Sequence, residues 1–222
     1  MKYIKKSAER KFLVITPLRK GDVVSDITLD TIQRNSLPFE WIEYQGTGNP
    51  YKNTHSALLT YSREKKVPEY VIKIDNDIEA EDGMLDKMYD ILVNAKPNVA
   101  YTYCSFEFKG AVNAKFPAAP FNSTKLCMSN SISSMSMLKL DALNNIKGFV
   151  TDDKYFRLLD WALWLKFLEF GYVGQPTMNT SFIAHSGPNS VSARSNEDYK
   201  EKFNRIQQDF VKPILERINQ SR

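Results

Sequence analysis

Hydrophobic and polar positions along the first hundred residues switch between two periods. Residues 11–16 (KFLVIT), 39–44 and 70–74 are short β-branched or aromatic runs, each closed by turn residues, and they predict buried strands. Between them the spacing becomes helical. Val23, Val24, Ile27 and Ile32 predict a helix over 23–34; Asn53 or Thr54 caps another running to 65; Asp82 or Gly83 opens a third, to 95. Residues 98–108 are again β-rich. Strand–helix alternation of this kind implies right-handed crossovers and a mostly parallel sheet flanked by helices. In such sheets ligands bind beyond the carboxyl ends of the strands, where Thr16-Pro17, Gln45-Gly46 and Asp75-Asn76-Asp77 would all lie.

The rhythm changes after residue 107. Residues 109–130 carry Gly110, Pro117 and Pro120 and predict a hairpin followed by a long loop, a candidate lid over 117–130. A strand over 135–140 and a short helix over 141–145 follow. Residues 155–170 form a strongly apolar helix, with Phe156, Leu159, Leu163, Phe167 and Phe170 at helical spacing and Gly171 as its stop. A strand over 181–184 leads into His185-Ser186-Gly187-Pro188, and a charged amphipathic helix over 196–218 packs on the domain.

Composition changes this picture little. With 222 residues, 42% hydrophobic and 25% charged, the chain is of ordinary globular type and long enough for one good core. Two cysteines, Cys104 and Cys127, make neither a disulfide framework nor a zinc motif, so a reducing, cytoplasmic location is expected. No apolar run approaches a membrane span. The formal charge of +4 is carried by the terminus. Residues 1–11 hold five basic residues against Glu9, which leaves 25 basic and 25 acidic residues for the body. A body without a basic stripe argues against a broad nucleic-acid surface. The expected organisation is a basic, solvated arm (1–10), a single domain (11–192) with a break near 107, and the C-terminal helix (193–222).

Three features carry chemistry. Asp75-Asn76-Asp77 ends a buried strand, and two carboxylates there suit either a turn or a hard divalent cation with substrate phosphate beside it. Asp160 interrupts an apolar stretch, Leu159-Asp160-Trp161-Ala162-Leu163-Trp164, as a paired structural residue or a base with a raised pKa. His185 is one of two histidines and lies in a Gly/Pro/Ser turn, where it is structural unless a metal lies nearby.

Together, VITPLRK (14–20), EYVIKIDND (69–77), GFVTDDKYFRLLDWALWLKFLEFGY (148–172) and AHSGPNSVS (184–192) stand in an order that resembles the GT-A glycosyltransferases of family 2. The resemblance covers 11–192. It implies a Rossmann-like GT-A fold, with a nucleotide-binding half (11–107) and a smaller acceptor-side β region (108–192). It further implies a nucleotide-sugar donor, Mn2+ or Mg2+, and transfer of the sugar with inversion to a hydroxyl. By match, Asp75 and Asn76 face the donor, Asp77 and His185 hold the metal, and Asp160 is the general base. Thr16, Pro17 and Arg19 border the nucleotide, and Tyr44 and Gln45 stand where the base is read.

Some positions depart from the pattern. The acidic residue that reads the base is absent or displaced to Glu43, Leu159 replaces a second acid, and Lys73 occupies an apolar strand position. A sugar-phosphate nucleotidyltransferase is an alternative, although Leu18-Arg19-Lys20-Gly21 holds only one glycine of the rich loop such enzymes carry. A non-catalytic nucleotide-sugar binding module is another. For the acceptor a saccharide or lipid-linked saccharide is favoured, with a nucleic-acid base, a protein side chain or an anionic lipid left open.

Overall fold

The computed structural model describes residues 2–5, 10–187 and 196–220, with side chains for 10–187 and 198–217. Among the described residues nine strands form one sheet. They are β1 (Lys2–Lys5), β2 (Phe12–Arg19), β3 (Phe39–Gly46), β4 (Tyr70–Lys73), β5 (Ile78–Ala80), β6 (Val99–Gly110), β7 (Ala114–Phe116), β8 (Met137–Lys139) and β9 (Val173–Ser186). The spatial order is β1-β3-β2-β4-β8-β6-β9-β5, with β7 hairpinned onto β6. Strands β3, β2 and β4 pair in parallel, as do β6 and β9, and β8 runs antiparallel between β4 and β6. All five long-crossover strands therefore point the same way.

Alternation along the strands sorts the core into two layers. Phe12, Val14, Ile72 and Ile74 face the layer covered by α1 (Asp26–Gln33) and α3 (Met84–Val93). Leu13, Ile15, Val71 and Tyr101 face the other, covered by α2 (Pro50–Glu64), α5 (Leu140–Asn145) and α6 (Leu159–Glu169). Asn49 caps α2, its side chain accepting from the N–H groups of Tyr51 and Lys52, with Pro50 at the first helical position. Helix α6 stops where Gly171 adopts φ +82° and the Tyr172 N–H reaches back to the Phe167 carbonyl at 3.0 Å.

Several expectations are corrected. Residues 2–5, expected within a basic arm, form strand β1. They pair antiparallel with the open edge of β3, with Lys2 in register with Glu43. Strand β2 does not end at Thr16-Pro17 but continues to Arg19 beside β3. The Ile15 carbonyl points to the β4 side, accepting from Ile74, so by alternation the Pro17 nitrogen also faces that side. Strand β4 has already ended there, and the missing N–H breaks no ladder bond.

The strand expected over 181–184 is the last part of β9. Its register with β6 jumps from Tyr103–Pro176 to Ser105–Ser181, so residues 177–180 bulge out, with Asn179 at φ +59°. The loop 117–130 holds a short helix, α4 (Ser123–Met128), which is pinned rather than loose: the Trp161 indole donates to the Leu126 carbonyl at 2.7 Å. At the C-terminus, α7 (Asn196–Ile206), a π-turn (Gln207–Val211) and α8 (Lys212–Gln220) run as one interrupted helix, burying Ile206, Val211 and Ile214.

Candidate active site

The candidate site lies where β4 and β9 end. Beyond β4 the chain passes Asp75 and turns at Asn76-Asp77 into β5, which pairs antiparallel with the end of β9. The backbone N–H of His185 donates to the Asp77 carbonyl at 2.8 Å, so these distant residues adjoin. Asp160 reaches the same region from the first turn of α6, not from the helix interior. Its Oδ1 accepts from the Trp161 N–H at 2.8 Å and its Oδ2 from Asn130 Nδ2 at 2.9 Å.

Lys73 links these parts. Period-2 alternation turns it to the α2/α6 face of β4, where its side chain is only 3% exposed. A buried ammonium requires partners. Lys73 finds Asp75 Oδ2 in an ion pair, Ser134 Oγ at 3.4 Å, and the Tyr51 ring with its centroid 5.3 Å away. Ser134 Oγ also donates to Asp75 Oδ2 at 3.3 Å. The Tyr51 hydroxyl is buried without a hydrogen-bond partner among the described residues. Burial, then the charges of Asp160 and Asp75, pushes that hydroxyl well above its usual pKa.

Two carboxylates here are hard to ionise. Burial pushes Asp160 up to about 6, against the opposing pull of Trp161, Asn130 and Lys73. Asp77 is also raised to about 6, first by burial and then by repulsion from Asp75, with Lys73 and His185 acting the other way. Lys73 thus contacts Asp75 and favours the charged forms of Asp77 and Asp160.

The other expected residues divide by role. The Thr16 side chain is fully buried and its Oγ1 accepts from the Trp41 indole at 3.0 Å, so only its backbone can face a ligand. Pro17 pairs in register with Tyr44, and Arg19 is exposed at the end of β2. Gln45 is engaged by its own loop, its Nε2 donating to the Asp22 carbonyl at 2.8 Å and its Oε1 accepting from the Gly21 N–H. Asn76 pins the start of α1, accepting from the Ser25 N–H at 2.7 Å and donating to the Val23 carbonyl at 2.8 Å. The Asn76 side chain therefore orders the rim. His185 Nε2 lies 2.8 Å from Glu79 Oε2.

Glu79, Tyr51, Asn130 and Ser134 were not anticipated. Lys73 in an apolar strand was the one signal present, since a buried ammonium demands an acid nearby. Tyr51 lay before the helix expected from Asn53 or Thr54, Asn130 at the end of the expected loop, and Ser134 between expected elements.

The fold this site sits in is the Rossmann-like GT-A fold. The architecture is similar to that of S. aureus TarS: a structure of residues 1–349 in complex with UDP-GlcNAc superposes with a TM-score of 0.61 at 14% identity, covering 86% of this chain and 64% of that one. A second, in complex with UDP, gives 0.51 at 14% identity over 86% of this chain and 63% of that one. A longer TarS structure gives 0.58 at 16% identity over 86% of this chain and 38% of its own length. The chain spans less than two thirds of each of these structures. It matches no protein-family model and no curated protein.

Proposed function

We propose that this chain is an inverting glycosyltransferase that moves a sugar from a nucleotide-sugar donor to an acceptor hydroxyl, with Asp160 as general base. The observation that carries this reading is the convergence of Asp160 with Lys73, Asp75 and Asp77 at the carboxyl end of β4. The TarS complexes with UDP-GlcNAc and UDP support a UDP-sugar as the donor class. The acceptor is read as a saccharide or lipid-linked saccharide.

A divalent cation fits this site on limited terms. Among the described residues no three His, Cys, Asp or Glu side chains form a ready cage. Mg2+ and Mn2+ often take only one or two protein carboxylates and complete their shell with substrate phosphate and water. Asp77 and His185 would hold the ion, because Asp75 already pairs with Lys73. Bound there, it would supply neutralisation of the charge that develops on the leaving diphosphate.

The chain's own groups do the rest. Asp75, held through Oδ2 by Lys73 and Ser134, keeps Oδ1 for a donor hydroxyl. Gln45 and Asn76 order the loop beyond β2 against which the nucleotide lies. Asp160, its Oδ2 steadied by Asn130, takes the acceptor proton, and its raised pKa makes it a stronger base than a solvated carboxylate once ionised.

A thermal-shift screen of UDP-, GDP-, CDP- and dTDP-sugars with Mn2+ tests the donor, since a ligand at 100 times its Kd stabilises the fold by about 2.7 kcal/mol. Absence of a shift with every nucleotide would sink the reading. Asp160→Asn should bind donor nearly as the wild type while transfer falls by about 10²–10⁴-fold. Pyrophosphate release from a sugar phosphate and an NTP would instead identify a nucleotidyltransferase, and donor binding with neither transfer nor hydrolysis a binding module.

A further inference from the structure

We propose that Glu79 is a positioning residue that holds the His185 imidazole in the Nε2–H tautomer and leaves Nδ1 as its free acceptor for the cation that accompanies the donor. This rests on the glycosyltransferase reading for the identity of the ligand, and on strand geometry for the rest. Strand β5 runs antiparallel to the end of β9, with Ile78 opposite Ala184 and Glu79 opposite Ile183. Residues two apart on a strand share a face, so Glu79 and His185 project from the same side of the ribbon. Their side chains meet on the diagonal, Oε2 to Nε2, at 2.8 Å. A carboxylate only accepts, so Nε2 carries the proton, and in the neutral ring Nδ1 is the remaining lone pair. The backbone bond from His185 N–H to the Asp77 carbonyl places the two residues side by side, and Glu79 orients the ring.

A purely structural role does not account for the pair. Glu79 is 45% and His185 41% exposed. A side-chain pair this open adds little stability, so Glu79→Ala should fold. A carboxylate that accepts from the far nitrogen of a ligating histidine orients the ring and raises its basicity, and its loss typically weakens metal binding about 10–100-fold.

The test uses the full chain in two readouts. The first is ring 15N NMR of the metal-free protein at pH 8, where the only histidines are His55 and His185 and the resonance lost in His185→Asn gives the assignment. Wild type should show His185 as the Nε2–H tautomer, and Glu79→Ala should show a mixture. The second is Mn2+ affinity with UDP present, followed by the EPR signal of free Mn2+. Affinity should fall about 10–100-fold in Glu79→Ala and less in Glu79→Gln, whose amide oxygen still accepts the Nε2–H. Protonated Nδ1 in the wild type, or Glu79→Ala affinity within twofold of wild type, overturns the assignment. A wild type that binds neither UDP nor Mn2+ overturns the enzymatic reading instead, while the tautomer still decides the role of Glu79 in orienting the ring.

Discussion

Two carboxylates whose pKa values both lie near 6 give the site a distinctive acid response. As the proposed base, Asp160 would act only when ionised, and as the proposed ligand, Asp77 would meet a cation only when ionised. Both are raised, so both lose charge as pH falls through 6, where an ordinary aspartate would still be fully ionised. The logarithm of kcat/KM should therefore fall with a slope approaching two below that pH. A slope of one down to pH 4.5 would mean that only one of the pair is essential in the free enzyme. Lys73 moves both groups in the same direction, favouring their charged forms. In Lys73→Met the nearest positive charge is gone, so the acid limb should shift to higher pH. An unmoved limb would show that Lys73 serves packing alone.

At the scale of elements, most of the α/β rhythm was legible because periods of 2 and 3.6 survive in the sequence as apolar spacing. The elements that escaped are held by partners distant in the chain. Strand β5 is three residues long and exists because β9 offers an edge; β9 itself is broken by residues 177–180 and contains Gly174 and Pro176, which read as loop. The candidate site was legible as isolated acids, Asp75, Asp77 and Asp160, but not as a network. Its connecting groups, Tyr51, Asn130 and Ser134, are of types that occur anywhere. Asn53 shows the same effect. Its Nδ2 donates to the Leu18 carbonyl at 3.0 Å and the Thr47 carbonyl at 2.8 Å, and its Oδ1 accepts from the Thr47 N–H at 2.8 Å, tying α2 to the ends of β2 and β3. Asn53→Ala leaves these buried groups without partners and should cost about 2 kcal/mol in urea unfolding. A change under about 0.5 kcal/mol would place the effect in the ordinary surface range and mean the tie is dispensable.

Over the whole molecule, the β3 side of the sheet is tied to α2 through one buried charge. Glu40 on β3 is 1% exposed and accepts from Arg10, Tyr61 and Lys65, so it joins the segment entering β2 to the far end of α2. Burial alone would raise its pKa, but the hydrogen bonds from Lys65, Arg10 and Tyr61 prevail and hold it below the ordinary 4.5. A carboxyl lowered in the folded state contributes stability that is fully present above its unfolded pKa and is lost as pH falls through the folded value. Glu40→Gln removes that contribution. It leaves Arg10 and Lys65 about a quarter exposed, able to turn toward water, which keeps the cost below that of stranding a fully buried charge. The variant should therefore be less stable than wild type by about 2 kcal/mol at pH 7. The gap should narrow below pH 4.5 and close as Glu40 itself protonates. Urea unfolding of both proteins from pH 7 to pH 3 reads this directly. A gap that stays constant across that range would assign the loss to packing and not to the charge.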